Sequence, residues 1–282
     1  MKICITGSSG LVGRVTVQYL ENAGFDVITY DLSDGQDILN YTQLKQASLD
    51  CAVIVHLAAL DEASESPIGP RATGSPEKIL SVNVQGTKNV LEAAKENAVP
   101  KVIVLSSVDV FGVFMGQGTP DYLPLDDNHP VRPHGPYAES KAAAENLCEK
   151  FTEDTHIPTV CLRSPGIFTA DTYRFIKAKR LENPDYEWSP YWEYGAFIDA
   201  RDVADAILTS IKNPVSGHHR LIICADDISS SDLDSFSLVQ KIMPEVEWRG
   251  GKNYGFKALL DSSEAKRVIG FNPMYTWRQP GE

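Results

Sequence analysis

The strongest constraint on this chain stands at its start, in Met1-Lys2-Ile3-Cys4-Ile5-Thr6-Gly7-Ser8-Ser9-Gly10-Leu11-Val12-Gly13. An apolar run of strand type stops at Thr6. Three glycines follow, and then a helical pattern begins with Leu11, Val12, Val15, Tyr19 and Leu20. In a strand–turn–helix unit each glycine has a task. Gly7 permits the tight turn, Gly10 lets backbone approach a pyrophosphate, and Gly13 lets the helix pack closely on the strand, while the helix N-terminus faces negative charge. A second apolar run, Val27-Ile28-Thr29-Tyr30, ends in Asp31, at the distance where an acid can hold an adenosine ribose. An ordinary Gly-rich turn is the plainer reading. Strand, helix and acid together favour dinucleotide binding.

The rest of the chain repeats the strand–helix alternation. Asp37-Ile38 reads as a short third strand before a helix over about Tyr41 to Ala47. Ala52 to Leu57 is a continuous apolar run, as a parallel strand buried on both faces requires. A helix is expected over about Pro76 to Asn97, a strand over Lys101 to Leu105, a helix over about Pro136 to Thr155 and a strand over Pro158 to Leu162. Such repeats imply right-handed crossovers and a parallel sheet covered on both faces. Later come Phe197 to Ala204, an amphipathic helix to Lys212, a strand at Leu221 to Cys224 and a capped helix ending at Gly270; His218-His219 reads as loop.

Two stretches break the rhythm. Asp61 to Ser75 is rich in Ser, Pro, Gly and charge, and reads as a long loop at the sheet edge where ligands bind. Thr169 to Gly195 gathers Tyr173, Phe175, Tyr186, Trp188, Tyr191, Trp192 and Tyr194. Core packing and the lining of a substrate pocket both fit that span.

Composition excludes several classes. The 282 residues suffice for one large α/β domain, or one with a small annex. A net charge of −12 argues against a nucleic-acid or anionic-membrane partner. Cys4, Cys51, Cys148, Cys161 and Cys224 form no Cys-x-x-Cys pair, which points to free buried thiols in a reducing compartment and to no metal. The first strand begins at once and no apolar run is long enough to span a bilayer, so a soluble cytoplasmic protein is expected.

The chemistry is carried by two segments. Tyr137 and Lys141 are four apart on an expected helix and so share a face. A free tyrosine ionises near ~10, and an ammonium beside it favours the phenolate. Such a tyrosine can take the proton of an alcohol while hydride leaves the same carbon. Ser106-Ser107 follows the strand ending at Leu105, where a hydroxyl can stabilise charge on a reacting oxygen. A surface helix pair and a turn serine are the plainer readings.

Taken with Ser106-Ser107-Val108-Asp109-Val110-Phe111-Gly112, His56-Leu57-Ala58-Ala59, Asn83-Val84-Gln85-Gly86-Thr87 and the Thr-Gly-x-x-Gly-x-x-Gly loop, the chain resembles the extended, epimerase/dehydratase-like branch of the short-chain dehydrogenase/reductase superfamily. The resemblance implies a Ser107–Tyr137–Lys141 triad. It implies NAD held by Gly7, Ser9, Gly10, Leu11, Val12, Gly13, Asp31, Asp37, Ile38, Leu57, Ala58, Ala59 and Asn83 together with Tyr137 and Lys141. It also implies a homodimer through the helices at Pro76–Asn97 and Pro136–Thr155. Substrate contacts are expected from Ser107, Asp109 and Arg174; a solvated helix residue is an equal reading of Arg174.

Departures from the family pattern narrow the function. Nucleotide-sugar dehydratases carry Asp-Glu where this chain has Val108 and Asp109, so dehydration is not expected. Nucleotide-sugar epimerases carry Arg-Asp where this chain has Gly195 and Ala196, and the span from Ser164 to Ile198 is short. A smaller substrate without a nucleotide handle follows. The expectation is an α/β protein with a Rossmann-type doubly wound parallel sheet over 1–163. A small substrate-binding part over 164–282 is interleaved with returning sheet elements at about 197–225. The expected function is NAD-dependent oxidation or reduction of a sugar, sugar acid or similar polyol. A sugar or nucleotide-sugar epimerase is the alternative, and a non-catalytic NAD-binding regulator, against which the intact triad argues, is another.

Overall fold

The computed structural model describes residues 1–62, 73–114, 116–183, 190–229 and 233–279. In chain order the strands are β1 (Lys2–Thr6), β2 (Asp26–Tyr30), β3 (Val53–His56), β4 (Val102–Ser107), β5 (Tyr122–Leu123), β6 (Thr159–Ser164), β7 (Ile167–Phe168), β8 (Ile198–Asp199), β9 (His218–Ile222) and β10 (Glu247–Trp248). The helices are α1 (Leu11–Asn22), α2 (Tyr41–Ala47), α3 (Pro76–Glu96), α4 (Gly135–Thr155), α5 (Ala170–Glu182), α6 (Ala200–Lys212), α7 (Ser235–Ile242) and α8 (Ser263–Ile269).

Six strands form one parallel sheet in the order β2-β1-β3-β4-β6-β9. Alternation along each strand sends neighbouring side chains to opposite faces. Ile3, Ile5, Val53, Val55, Ile103 and Leu162 pack with Leu20, Val203, Ile207 and Ile269 from α1, α6 and α8. Cys4, Ile54, Val102, Val104 and Cys161 pack on the other side with Leu44, Val90, Cys148 and Phe151 from α2, α3 and α4. Both faces are therefore covered, which is why the strands read as continuous apolar runs. Truncating one of the fully buried core aliphatics, such as Ile54 to alanine, costs about 2–5 kcal/mol.

The chain leaves β1 for β2 on one side and returns to β3 on the other. The order thus reverses beside β1, and a crevice opens at the carboxyl ends of β1 and β3, the place where such sheets bind ligands. Gly7, Leu57 and Ser107 all stand at this edge, because each follows or ends one of the central strands.

Two sequence expectations are corrected. Asp37-Ile38 is a turn and not a strand, so β2 is the edge of the sheet. The turn is held by side chains: Tyr30 Oη donates to Asp37 O at 2.7 Å, Asn89 Nδ2 donates to Ile38 O at 3.0 Å, and Asp37 Oδ1 accepts from Leu39 N at 2.9 Å. These bonds satisfy the backbone that a strand pairing would otherwise have to satisfy. His218-His219 is not loop but the start of β9, paired with Thr159 and Val160. His218 Nδ1 lies 2.7 Å from Thr159 Oγ1, which gives a polar residue a partner on this outermost strand.

A further core joins Val108 to Phe114 with Leu123, Leu125, Tyr194, Leu238, Val239 and Leu259 under the carboxyl edge. The aromatic span divides. Tyr173 is buried against Phe168 and Phe197, Tyr194 is buried with its hydroxyl on Val113 O, and Phe175 is partly buried. These are packing residues. Tyr186 and Trp188 lie outside the described residues. Asp61 and Thr73 form a bridge at the ends of the expected loop. No described helix is long and apolar enough to cross a membrane, and no cluster of metal-ligating side chains occurs among the described residues.

Candidate active site

The glycine loop is built as a close-contact turn. Gly7 has φ 73°, and a Cβ there would fall 2.6 Å from Ala58 N on the neighbouring strand exit. A Cβ on Gly13 would fall 2.1 Å from Gly7 O. Gly10 caps α1 without a side chain, and no acid stands in the first turn, so neither supplies a partner to the helix amides beginning at Leu11 and Val12. Ser8 Oγ is buried and has no hydrogen-bond partner. A helix N-terminus without a side-chain cap and an orphaned hydroxyl form a cradle that fits a pyrophosphate.

Asp31 stands at the end of β2 and turns its carboxylate back to this loop. Oδ2 accepts from Ser9 N at 3.0 Å and Oδ1 from Ser33 N at 2.9 Å. Each oxygen retains a lone pair for a ribose hydroxyl. A surface cavity of about 340 Å³ adjoins the loop and is lined by Ser8, Ser9, Arg14, Thr29 and Asp34 among others.

On the other side of the crevice, Leu57, Ala58 and Ala59 leave β3 half-buried, with Leu57 N bonded to Thr6 O at 3.0 Å. His56 beneath them is sandwiched between Thr6 Oγ1 (2.7 Å) and Thr87 Oγ1 (3.2 Å). Burial, aided by the nearby Lys141 charge, pushes its pKa down to about 3, so it is a neutral spacer. Asn83 is held by protein partners. Its Oδ1 accepts from Leu60 N at 2.8 Å, and its two amide protons go to Leu60 O at 3.0 Å and Ser140 Oγ at 2.9 Å. It ties the β3 exit to α4. Asp37 and Ile38 likewise bond to protein partners in the turn described above.

Lys141 is the chemically unusual residue. It lies one turn after Tyr137 on α4, is buried, and donates from Nζ to Leu105 O at 2.7 Å. Nζ is 5.5 Å from the centre of the Tyr137 ring. Burial pushes its pKa down to about 8, against the raising influence of Asp61, Cys161, Glu145 and Asp109. The side chain is therefore still an ammonium at neutral pH, held in a poorly solvated place where its charge acts strongly on what lies beside it.

The two serines that end β4 part ways. Ser106 Oγ donates to Glu145 Oε1 at 2.7 Å inside the protein, where Arg163 binds Glu145 through Nε at 2.9 Å and Nη2 at 2.7 Å. This buried two-pronged pair locks β4, β6 and α4 together. Ser107 instead belongs to the edge. Its Oγ donates to Asp109 Oδ2 at 2.9 Å and accepts from Asp109 N at 3.2 Å. A carboxylate can only accept, so the Ser107 proton points at Asp109; one lone pair remains. Asp109 thus stands at the site through Ser107. Arg174 is exposed on α5 and paired with Asp171.

Sequence reasoning missed Glu145, Arg163 as its partner, and the pair Asp61-Glu62. Glu62 Oε1 accepts from Tyr137 N at 2.7 Å across 75 residues of chain. No local spacing signals such a contact.

Comparison with known proteins bears on the fold and the family. A putative UDP-glucose 4-epimerase of Methanocaldococcus jannaschii is 28% identical over 181 residues, covering 59% of this chain and 56% of that protein. The human dTDP-D-glucose 4,6-dehydratase is 32% identical over 212 residues, covering 70% of this chain and 59% of that protein. The chain thus spans little more than half the length of these relatives. Among solved structures, a short-chain dehydrogenase/reductase superfamily protein from Agrobacterium tumefaciens with bound NAD superposes with a TM-score of 0.71 at 21% identity, covering 99% of this chain and 94% of that one. The model of the NAD dependent epimerase/dehydratase family matches residues 3–224, and the chain belongs to that family.

Proposed function

We propose that this protein is an NAD-dependent oxidoreductase that interconverts a hydroxyl and a carbonyl on a sugar, sugar acid or similar small polyol. The observation that carries the reading is the buried Lys141 ammonium beside Tyr137, at the strand edge that presents Ser107. The cradle at Gly7–Gly13 and the Asp31 carboxylate fit NAD, which accepts the hydride from the carbinol carbon when bound. Lys141 favours the phenolate of Tyr137, which takes the hydroxyl proton of the substrate. Ser107 turns its hydroxyl from Asp109 to the reacting oxygen, and a neighbouring substrate hydroxyl takes the place of Ser107 at the Asp109 carboxylate. The reverse transfers reduce a carbonyl.

In this reading residues 1–163 hold NAD, and the part over 164–282, apart from the elements returning at about 197–225, receives the sugar. Gly195 and Ala196 offer no charged grip on a nucleotide diphosphate, which supports a small substrate. The substrate would then be met in the cytoplasm, with the five free cysteines suited to a reducing compartment. The protein is proposed to pair as a homodimer through α3 and α4, which light scattering would show as twice the chain mass.

Relatives named as UDP-glucose 4-epimerases favour a second reading, in which the hydride returns to the other face of the same carbon. A panel of hexoses, hexuronates and UDP-sugars incubated with NAD separates the two. Accumulation of reduced cofactor supports the oxidoreductase. Sugar conversion without it, with cofactor retained, supports the epimerase. Absence of both defeats the two readings together.

A further inference from the structure

We propose that Glu62 is a positioning residue for Tyr137: its carboxylate, delivered from the segment after β3, caps the helix that carries the proton acceptor. The inference rests on the reading of Tyr137 given above. The start of α4 lacks the usual local solution. His134 occupies the cap position and makes no side-chain bond there, and no acid stands in the first turn. Pro136 has no N–H, so the Tyr137 amide is the early donor that a cap would have to satisfy. Glu62 Oε1 accepts it at 2.7 Å. The helix N-terminus also favours the carboxylate's negative charge.

Gly135 makes room for this contact. Its φ is +84°, and a Cβ on it would lie 3.2 Å from Glu62 Oε1 and 3.5 Å from Oε2. The segment that carries Glu62 is itself fixed to α4 at a second point, because Asn83 clasps both backbone groups of Leu60 and also Ser140 Oγ. Asp61, between these two ties, is the leading charge that opposes the loss of the Lys141 proton. The exit of β3, which carries Leu57 to Ala59 along the cofactor crevice, is thereby stitched to the first turn of α4. Glu62 sets where the Tyr137 backbone stands relative to that crevice and to Lys141.

The test uses the full chain saturated with NAD and compares Glu62→Ala with Glu62→Gln, whose amide oxygen can still accept from Tyr137 N. Hydrogen exchange of the Tyr137 amide needs no substrate. It should quicken by about fivefold or more in Glu62→Ala, the scale of a lost helix cap, and stay near wild type in Glu62→Gln. On any sugar of the hexose, hexuronate and UDP-sugar panel that reduces NAD, Glu62→Ala should lower kcat by about tenfold with NAD affinity held within about twofold, and Glu62→Gln should restore it. Unchanged exchange in Glu62→Ala, failure of Glu62→Gln to rescue, or fast exchange with normal kcat each overturns the proposal. If wild type turns over no sugar, the oxidoreductase reading fails while the exchange comparison still decides the cap.

Discussion

Replacing Lys141 with methionine should expose the cost of holding its charge in the protein. The residue is 7% exposed, and its pKa falls from 10.5 to about 8, first because of burial. Below pH 8 both the folded and the unfolded chain carry the ammonium, and the folded state bears the full penalty of burying it. Between pH 8 and 10.5 only the folded chain gives up the proton, so wild type gains stability as pH rises through this window. A difference of about 2.5 pKa units is about 3 kcal/mol. Methionine has no proton to lose. It leaves Leu105 O without its partner, at about 1–3 kcal/mol, but that loss does not depend on pH. Urea unfolding of both proteins at pH 7 and pH 10, followed by tryptophan fluorescence, isolates the titration. The stability of Lys141→Met relative to wild type should fall by about 2–3 kcal/mol between the two pH values, and its turnover should be lost at both. A pH-independent difference would show that Lys141 is not a strained buried ammonium, and the argument for Tyr137 activation would fall with it.

Three further outcomes follow from the site. NAD should bind more tightly than NADP, because the Asp31 carboxylate repels a 2′-phosphate even with Arg14 on the adjoining cavity; equal affinities in a titration would refute this. Ser107→Ala should lower kcat by about 10²-fold while NAD affinity holds, and a matching loss of NAD affinity would move Ser107 out of the substrate's reach. Gly13→Ala should destabilise the fold by about 1–3 kcal/mol, since its Cβ would meet Gly7 O at 2.1 Å, whereas Gly10→Ala, 3.3 Å from the same atom, should destabilise it less and weaken NAD binding; the reverse ranking would contradict the assigned glycine roles.

The parts of this protein that sequence disclosed are those governed by local rules. The glycine loop is legible because each glycine answers a steric demand that no side chain can meet. The central strands are legible because burial on both faces makes apolar runs. Tyr137 and Lys141 are legible because helical spacing puts them on one face. What stayed hidden depends on distant chain. Asp37-Ile38 was expected as a strand, but Tyr30 and Asn89 hold it as a turn. His218-His219 lacked apolar character, yet Thr159 gives one of them a partner in the sheet. Asn83 belongs to a motif, but only the fold shows that its amide clasps Leu60 and Ser140. Ser106 and Ser107 are indistinguishable as neighbours in sequence; strand alternation sends one to the buried Glu145 and the other to Asp109. Glu62 stands 75 residues from the amide that it caps, beyond the reach of any spacing rule.

The central claim is that Tyr137 takes the proton of an alcohol as hydride passes to NAD. The direct measurement is reduced-cofactor formation on the sugar panel by wild type and by Tyr137→Phe, with NAD affinity measured for both. The account predicts sugar-dependent NAD reduction by wild type, a loss of at least about 10²-fold in kcat in Tyr137→Phe, and equal NAD affinity. Near-normal turnover by Tyr137→Phe would contradict it, and would move the search for the base to Asp109.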